Sequence, residues 1–193
     1  MKLIRLTSLF LVLSAAVAYP QTVDLGLGAF SNQSGAVLVA VDSALANRTL
    51  DSPYVMFVVF LAAKDQNQPI TVAAKDVVMV YKGQEYPMPS VKELRDKYRA
   101  GIRDIDLYRH LGKEGIGSSW IRFYQFPQKE NFFPPLTMAA TLAVDEGYMV
   151  GTKGFLTPLY FKNPGFAKGD KLTIKVRDKK NPELSGDCEV VLD

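Results

Sequence analysis

The segment YVMFVVFLAA, residues 54–63, is a continuous apolar run and decides the fold class of this chain. Its ten residues are too few to cross a bilayer as a helix, which takes about 20. The run is rich in β-branched and aromatic residues, which are enriched in strands. Both of its alternating faces are apolar, so the sequence predicts a central β-strand that is covered on both sides.

Shorter segments with period-two patterning lie on either side of this run. Turn residues separate them, which is typical of an antiparallel all-β domain with about eight or nine strands. Segment 70–81 is interrupted by Lys75-Asp76, so it predicts either two strands or one bulged strand. The other expected strands are at 37–41, 84–86, 120–124, 136–144, 155–161, 171–177 and 188–192.

One segment, 90–111, breaks the β pattern and predicts a helical insertion. Ser90 and Glu93 have the spacing of a capping box, in which a serine caps the helix and a glutamate three residues later bonds back. Apolar residues then recur at helical spacing as far as Tyr108, and Gly101 permits a division into two helices. Because a sandwich buries one face of each sheet, we expect segment 91–111 to cover the second face of strand 54–63.

These patterns predict a mainly β fold, an antiparallel β-sandwich that is immunoglobulin-like in broad shape, with a helical insertion near residues 90–111. A closed barrel is the alternative. The Cys–Trp–Cys framework of antibody domains is missing, which excludes that class but not the architecture. We expect a single β-sandwich domain over 36–193 and a loose N-terminal arm over 19–35.

The first 18 residues have the order of a secretory signal peptide. Lys2 and Arg5 precede an apolar run, and Ala16-Val17-Ala18 supplies a small-residue cleavage site. Cleavage after Ala18 leaves 175 of the 193 residues and lowers the formal charge from +3 to +1, because both cations leave. An uncleaved anchor is the alternative. We therefore expect an exported protein, periplasmic or extracellular, that meets the membrane only through this segment during export.

Net charge and the numbers of cysteine and histidine residues limit which partners, metals and cofactors we expect. A mature charge of +1 without runs of like charge predicts no nucleic-acid partner. Cys188 is the only cysteine, so an internal disulfide is impossible, and its alternation with Val190 predicts a buried side chain. With His110 as the only histidine, we expect no metal site. The glycines near residue 115 do not form a nucleotide-binding fingerprint, so no cofactor is expected.

The candidate ligand-binding residues are aromatic rings with two arginines close by in sequence. Exposed rings beside arginines stack on sugars or dock peptides, whereas buried rings fill the space between helix and sheet. Both interpretations remain open at this point. The candidates are Tyr108, Arg109, Trp120, Arg122, Tyr124, Phe132 and Phe133.

A hydrolase is a further alternative. His110 has acidic neighbours in sequence, and Ser118 or Ser119 would be the nucleophile. The spacing of these residues carries no catalytic signature. His110 also lies near the end of the expected helix, where a cation is favoured by the helix dipole. No catalytic residue is therefore assigned.

Five segments of the chain are similar to a group of uncharacterised secreted bacterial proteins. The resemblance extends over the chain from residue 36 onward. It implies an exported β-sandwich and brings no known activity and no catalytic residues. The segments are LDSPYVMFVVFLA (50–62), GQEYPMPSVKELR (83–95), SSWIRFYQFP (118–127), FFPPLT (132–137) and VRDKKNPELSG (176–186).

Together these observations favour a non-enzymatic exported module that acts by protein binding or in an envelope assembly. Its partner would be another envelope or secreted protein. The first alternative is a carbohydrate- or peptide-binding domain that uses the aromatic residues of 108–133. The second is the hydrolase built on His110.

Overall fold

The computed structural model describes residues 22–98, 103–104, 107, 125–129, 132–133, 143–151 and 153–193, with 125–129 described by their backbone alone. None of the helices in these residues has the length and hydropathy needed to cross a membrane. The α-helices and strands are β1 (Val23–Gly26), β2 (Ala29–Asn32), β3 (Val37–Asp42), α1 (Ala44–Arg48), β4 (Tyr54–Ala63), β5 (Ile70–Ala73), β6 (Val77–Tyr81), β7 (Gln84–Pro87), α2 (Val91–Lys97), β8 (Gln125–Lys129), β9 (Glu146–Met149), β10 (Lys153–Lys162), β11 (Lys171–Arg177) and β12 (Ser185–Val191).

The strands form two larger sheets and a two-stranded ribbon. The first sheet has the order β1-β2-β3-β4-β10-β8, the second has the order β12-β11-β6-β7, and β5 pairs with β9. Every pair is antiparallel except β8 with β10. The prediction of a mainly antiparallel β-sandwich is confirmed. Its finer immunoglobulin-like shape stays a prediction.

Strand β4 is the centre of the first sheet, as its apolar sequence predicts. All ten of its residues are buried. It lies between β3 and β10, and Phe57 is directly opposite Leu159 of β10. On the same face, the rings of Phe57 and Phe161 pack with their centroids 6.3 Å apart. The opposite face of β4, which carries Tyr54 and Met56, is also buried.

The N-terminal segment differs from the loose arm that the sequence suggested. Residues 23–32 form β1 and β2, and all four residues of β2 are buried. Gly26 and Gly28 have positive φ angles of 84° and 78° and allow the chain to reverse between the two strands. The Gly28 carbonyl then accepts hydrogen bonds from the amide and hydroxyl of Ser43. The glycines therefore build a turn inside the sheet, and the expected arm is wrong over residues 23–32.

The interrupted segment 70–81 contains two strands. A single 3₁₀ turn over Ala74–Asp76 separates β5 from β6, and the two strands belong to different sheets. Lys82 and Gly83 then connect β6 to β7 as an antiparallel hairpin, as their turn composition predicts. The chain therefore changes sheets at residues 74–76.

The last hairpin has one buried and one charged face. Lys175 lies opposite Asp187, and Ile174 lies opposite Cys188. Cys188 is fully buried, which confirms the prediction for this side chain. Burial raises the pKa of its thiol to about 12. Arg177 lies opposite Ser185 and forms an ion pair of 3.1 Å with Glu85 of β7.

The helical insertion begins where the capping box predicts. The Ser90 hydroxyl accepts a hydrogen bond of 3.0 Å from the amide of Glu93, and α2 follows at Val91–Lys97. The backbone leaves helical geometry at Tyr98, and residues 103, 104 and 107 are helical again. The other residues of the predicted insertion lie outside the described part of the chain.

Candidate functional site

The structure describes two of the seven candidate ligand-binding residues. Phe132 and Phe133 have exposed fractions of 2% and 5%. The hydrolase candidates His110, Ser118 and Ser119 lie outside the described residues, as do the five remaining ligand-binding candidates, which are Tyr108, Arg109, Trp120, Arg122 and Tyr124.

Phe132 and Phe133 pack their rings against β10. The ring of Phe132 meets that of Phe155 with centroids 6.2 Å apart and planes at 79°. The ring of Phe133 meets that of Tyr160 at 5.4 Å and 80°. Both pairs have the edge-to-face geometry that aromatic rings prefer. The two phenylalanines are therefore fixed against the sheet.

The same two residues line one side of a cleft of about 450 Å³. This volume is within the usual range for small ligand sites, which is roughly 300–1,000 Å³. The other described residues around the cleft come from the connection between β7 and α2, from the 3₁₀ turn and from the chain before β9. They are residues 74–75 and 87–91, Ala143 and Asp145.

The connection between β7 and α2 forms an apolar wall of this cleft. Pro87 and Pro89 fix their own φ angles and favour extended backbone in the residues before them. Met88 lies between the prolines, and its side chain packs against the core together with Val91. Since Ser90 caps α2, the wall is anchored at both ends, by the β6–β7 pairing and by the helix. It is therefore preformed.

Charged groups lie at one end of the cleft. Lys75 and Asp145 both border it, and the Asp145 carbonyl accepts a hydrogen bond of 2.9 Å from the Ala74 amide. They also border an adjoining cavity of about 300 Å³, where Lys179 forms an ion pair with Glu146. Lys75 forms no ion pair with any residue in the described part of the chain. Lys75 is exposed and borders the cleft.

Beyond Phe133, the same sheet face carries a cluster of three tyrosines, Tyr54, Tyr98 and Tyr160. The centroid of the Tyr98 ring lies 5.3 Å from that of Tyr54 and 6.2 Å from that of Tyr160. The Tyr98 hydroxyl accepts a hydrogen bond of 3.2 Å from Ser52. Because Tyr98 follows directly after α2, this tyrosine cluster joins the helical segment to β4 and β10.

Asp104 is a buried acid beside this tyrosine cluster. Its exposed fraction is 1%, and its carboxylate lies beside the hydroxyl of Tyr98. The guanidinium of Arg103 lies 3.6 Å from one of these oxygens. Burial raises the pKa of Asp104, although Tyr98 and Arg103 both favour the ionised form. Burial also raises the pKa values of Tyr98 and Tyr160.

No metal site is found in the part of the chain that the structure describes. It contains no group of three or more His, Cys, Asp and Glu side chains placed to hold a metal ion. The sequence matches no protein-family model, no curated protein and no solved structure.

Sequence reasoning missed four residues that stand out in the structure, which are Lys75, Met88, Asp104 and Asp145. Met88 between two prolines was the available signal, because an apolar residue in a rigid connection is an unusual choice for a solvated loop. Lys75 and Asp145 are 70 positions apart in the sequence, and only the pairing of β5 with β9 brings them together.

Proposed function

We propose that this protein is an exported, non-enzymatic β-sandwich module that binds an apolar segment of another envelope or secreted protein. The observation that carries the proposal is the cleft between residues 87–91 and the Phe132–Phe133 pair. Its walls are apolar, and its charged groups, Lys75 and Asp145, are confined to one end. An apolar side chain of the partner would enter between the walls, and polar groups of its backbone would meet the charged end.

The rigidity of the cleft supports binding of this kind. Phe132 and Phe133 are fixed on β10, and Met88 is held between two prolines. A preformed site loses little conformational entropy when it is filled, so more of the interaction contributes to affinity. Burial of one large apolar side chain is worth about 1.5–3 kcal/mol, so a single anchor gives modest affinity unless neighbouring contacts add to it.

A peptide selection tests the proposal. A random peptide library would be selected on the purified protein, and the Kd of the recovered peptides would be measured by fluorescence anisotropy. We expect peptides with one or two large apolar residues. Met88→Glu places a charge in the apolar wall and should weaken binding at least tenfold. Lys75→Glu, a surface change that reverses the charge at the mouth, should alter the preference for charged residues next to the apolar anchor.

Val23→Glu is the matched control. Val23 is an apolar residue on β1, 55% exposed and outside the cleft, so the same substitution there should leave Kd unchanged. Thermal unfolding of each variant separates loss of the cleft from loss of the fold. The proposal fails if no peptide is recovered, or if Met88→Glu is folded and binds as tightly as the unaltered protein.

The carbohydrate alternative is tested in the same assay with a panel of glycans in place of peptides. In the described part of the chain, the rings of Phe132 and Phe133 are in edge-to-face contact with Phe155 and Tyr160 and are almost completely buried. A sugar stacks on an exposed ring face, so the burial of these two rings does not favour a glycan.

A further inference from the structure

The hairpin of β1 and β2 carries Leu27 at its tip, the most exposed large apolar side chain among the described residues. Its exposed fraction is 67%, and Val23 on the same hairpin is 55% exposed. Leu27 also has a φ angle of 55°, in the left-handed region that leucine rarely adopts. Exposure to water and backbone strain are both unfavourable in the isolated protein, so the described fold itself gives no reason for a leucine at this position.

The hairpin holds Leu27 in a fixed position. Gly26 and Gly28 on either side have positive φ angles. The Asp24 carboxylate accepts a hydrogen bond of 2.7 Å from the Gly26 amide. On the other side, the Ser43 hydroxyl donates one of 2.8 Å to the Gly28 carbonyl. The tip is anchored on both sides, and the glycines leave Leu27 as a single apolar projection that loses little conformational entropy on binding.

We propose that Leu27 enters the cleft of a second copy of this chain, so that identical molecules associate through two different surfaces. This inference rests on the proposed function and names the occupant of its cleft. The cleft has a volume of about 450 Å³, and its wall at Met88 is apolar. It suits one large apolar side chain next to accessible backbone, and a leucine between two glycines supplies both.

The charge of the hairpin fits this cleft better than a membrane surface. Residues 22–32 contain one charged residue, Asp24, and neither lysine nor arginine. In the complex, Asp24 of one copy lies towards Lys75 of the other and away from Asp145, which sets the direction in which the hairpin enters. A lipid surface is anionic and attracts basic residues beside an apolar anchor, so an acidic hairpin is disfavoured there.

The hairpin and the cleft of one chain are too far apart to meet. β1 is at one edge of the first sheet, whereas Phe132 and Phe133 of the cleft pack against β10, with β2, β3 and β4 between. Four strand spacings of about 4.8 Å place β1 roughly 19 Å from β10. The contact therefore joins separate copies. Because its two surfaces differ, it is heterologous, and each added copy presents a further hairpin or cleft unless a ring closes.

Sedimentation velocity of the purified protein from about 5 to about 500 μM measures this association, since a hairpin tip buries less area than a standard interface and binds weakly. We expect the weight-average mass to rise with concentration. Leu27→Glu removes the apolar anchor and Met88→Glu charges the wall, so each should weaken association at least tenfold. Val150→Glu is the matched control, because Val150 is 40% exposed and lies outside both the hairpin and the described lining of the cleft. It should associate as the unaltered protein does.

A mixture of the two impaired variants is the decisive experiment. Leu27→Glu keeps an intact cleft and Met88→Glu keeps an intact hairpin, so an equimolar mixture should form one-to-one dimers that grow no further. Its mass should approach twice that of the monomer, whereas each variant alone stays monomeric. A mixture that remains monomeric while the unaltered protein associates would overturn the inference.

Leu27→Asn keeps the inference testable if Met88→Glu does not fold. Asparagine tolerates a positive φ angle better than leucine, so this variant should unfold at a higher temperature than the unaltered protein and yet lose its association. A lower unfolding temperature would show that Leu27 serves the fold of the single chain. That result, or an unchanged association, would count against the inference.

The outcomes separate this inference from the proposed function. If the unaltered protein stays monomeric at every concentration, the inference fails, and the proposed function stands provided that the peptide library yields ligands. Association that is lost in Met88→Glu but kept in Leu27→Glu gives the cleft another occupant and overturns the inference alone. Flotation with vesicles of phosphatidylethanolamine and phosphatidylglycerol identifies a membrane anchor. Vesicle binding that Leu27→Glu abolishes, without self-association, also overturns the inference.

Discussion

The hydroxyl of Tyr54 donates a hydrogen bond of 2.9 Å to the carboxylate of Glu93, and so joins the first residue of β4 to α2. Glu93 occupies the capping-box position, where its side chain would be expected to bond back to the amide of Ser90. In this protein it contacts Tyr54 and Lys97 instead. The helix start is therefore tied to the sheet, and the fold of α2 depends on its position over β4.

Tyr54→Phe tests this tie. Removing the hydroxyl should lower the free energy of unfolding by about 0.5–1.5 kcal/mol, since the bond is partly exposed. The measurement is urea unfolding at pH 7, with Tyr148→Phe as a control because Tyr148 is 53% exposed on β9.

The lowered pKa of Glu93 means that its ionised form stabilises the fold and that this contribution is lost as the pH falls through the lowered value. A larger effect of Tyr54→Phe at pH 3 than at pH 7 would contradict this account.

Leu94→Ala tests whether α2 covers the second face of β4. Leu94 is fully buried and belongs to the hydrophobic core, although α2 has only seven residues. Truncating a buried leucine costs about 2–5 kcal/mol, so we expect a loss in this range by urea unfolding. Lys92→Ala, on the exposed side of the same helix, should change stability by less than about 0.5 kcal/mol. Equal effects of the two substitutions would show that α2 does not cover the sheet.

The parts of the fold with strong apolar patterning were predictable from the sequence. Strand β4 is apolar on both faces, and α2 has a serine cap, so each carries its signal within a few residues. Strand β9 was missed, because its side chains alternate between buried and exposed over only four residues and include Gly147 and an exposed Tyr148. The predicted strand at 136–144 is not seen at Ala143 and Val144, and its remaining residues lie outside the described part.

The candidate site was predictable only in part, because its walls meet through long-range packing. Their aromatic character makes Phe132 and Phe133 candidates, but nothing in their local sequence places them on β10 or beside the proline-rich connection. Asp104 is one of several acidic residues near His110 in the sequence, and nothing in its local pattern predicts a buried side chain. The burial of its carboxylate depends on how Asp104 lies against Tyr98 and against Tyr160, which is distant from it in the sequence.

Asp178 connects the last hairpin to β5 and predicts a dependence of stability on pH. Its carboxylate accepts backbone hydrogen bonds from Thr71, Lys180 and Asn181 at 2.7–2.9 Å. Burial disfavours the ionised form, but these amides outweigh it and lower the pKa of Asp178. Its ionised form therefore stabilises the fold above the ordinary aspartate pKa, about 3.9, and this contribution is lost as the pH falls through the lowered value.

We expect Asp178→Ala to reduce the free energy of unfolding at pH 7 by about 1.5–3 kcal/mol, because it removes the charged acceptor of three part-buried hydrogen bonds. The difference from the unaltered protein should shrink below about pH 4, where the carboxylate is progressively neutralised. Urea unfolding from pH 2.5 to 7 measures both effects. Asp187→Ala in the same hairpin is the control, and a difference for Asp178→Ala that is constant with pH would refute the role of its charge.

Gly186 of β12 lies directly against the backbone of Val37 in β3. A Cβ atom at this position would lie 2.1 Å from the carbonyl oxygen of Val37, far inside any normal contact distance. Because the added Cβ would clash with backbone atoms of Val37 and not with a flexible side chain, one of the two strands must shift to remove the clash. We therefore expect Gly186→Ala to lower the free energy of unfolding by about 1–3 kcal/mol or more. Ser185→Ala on the same strand should have a small effect, and a fully stable Gly186→Ala would exclude this close approach of the strands.

Cys188 gives a direct chemical measure of whether the hairpin core opens. Its side chain is fully buried, and its raised pKa of about 12 leaves almost no thiolate at pH 8. Because the thiolate is the reactive form, iodoacetamide should label the folded protein at least about 100-fold more slowly than the protein in 8 M urea. Mass spectrometry of the alkylated protein measures both rates. Gly186→Ala should speed labelling if the shift it forces opens the β11–β12 pair, whereas rapid labelling of the unaltered protein would contradict the burial of Cys188.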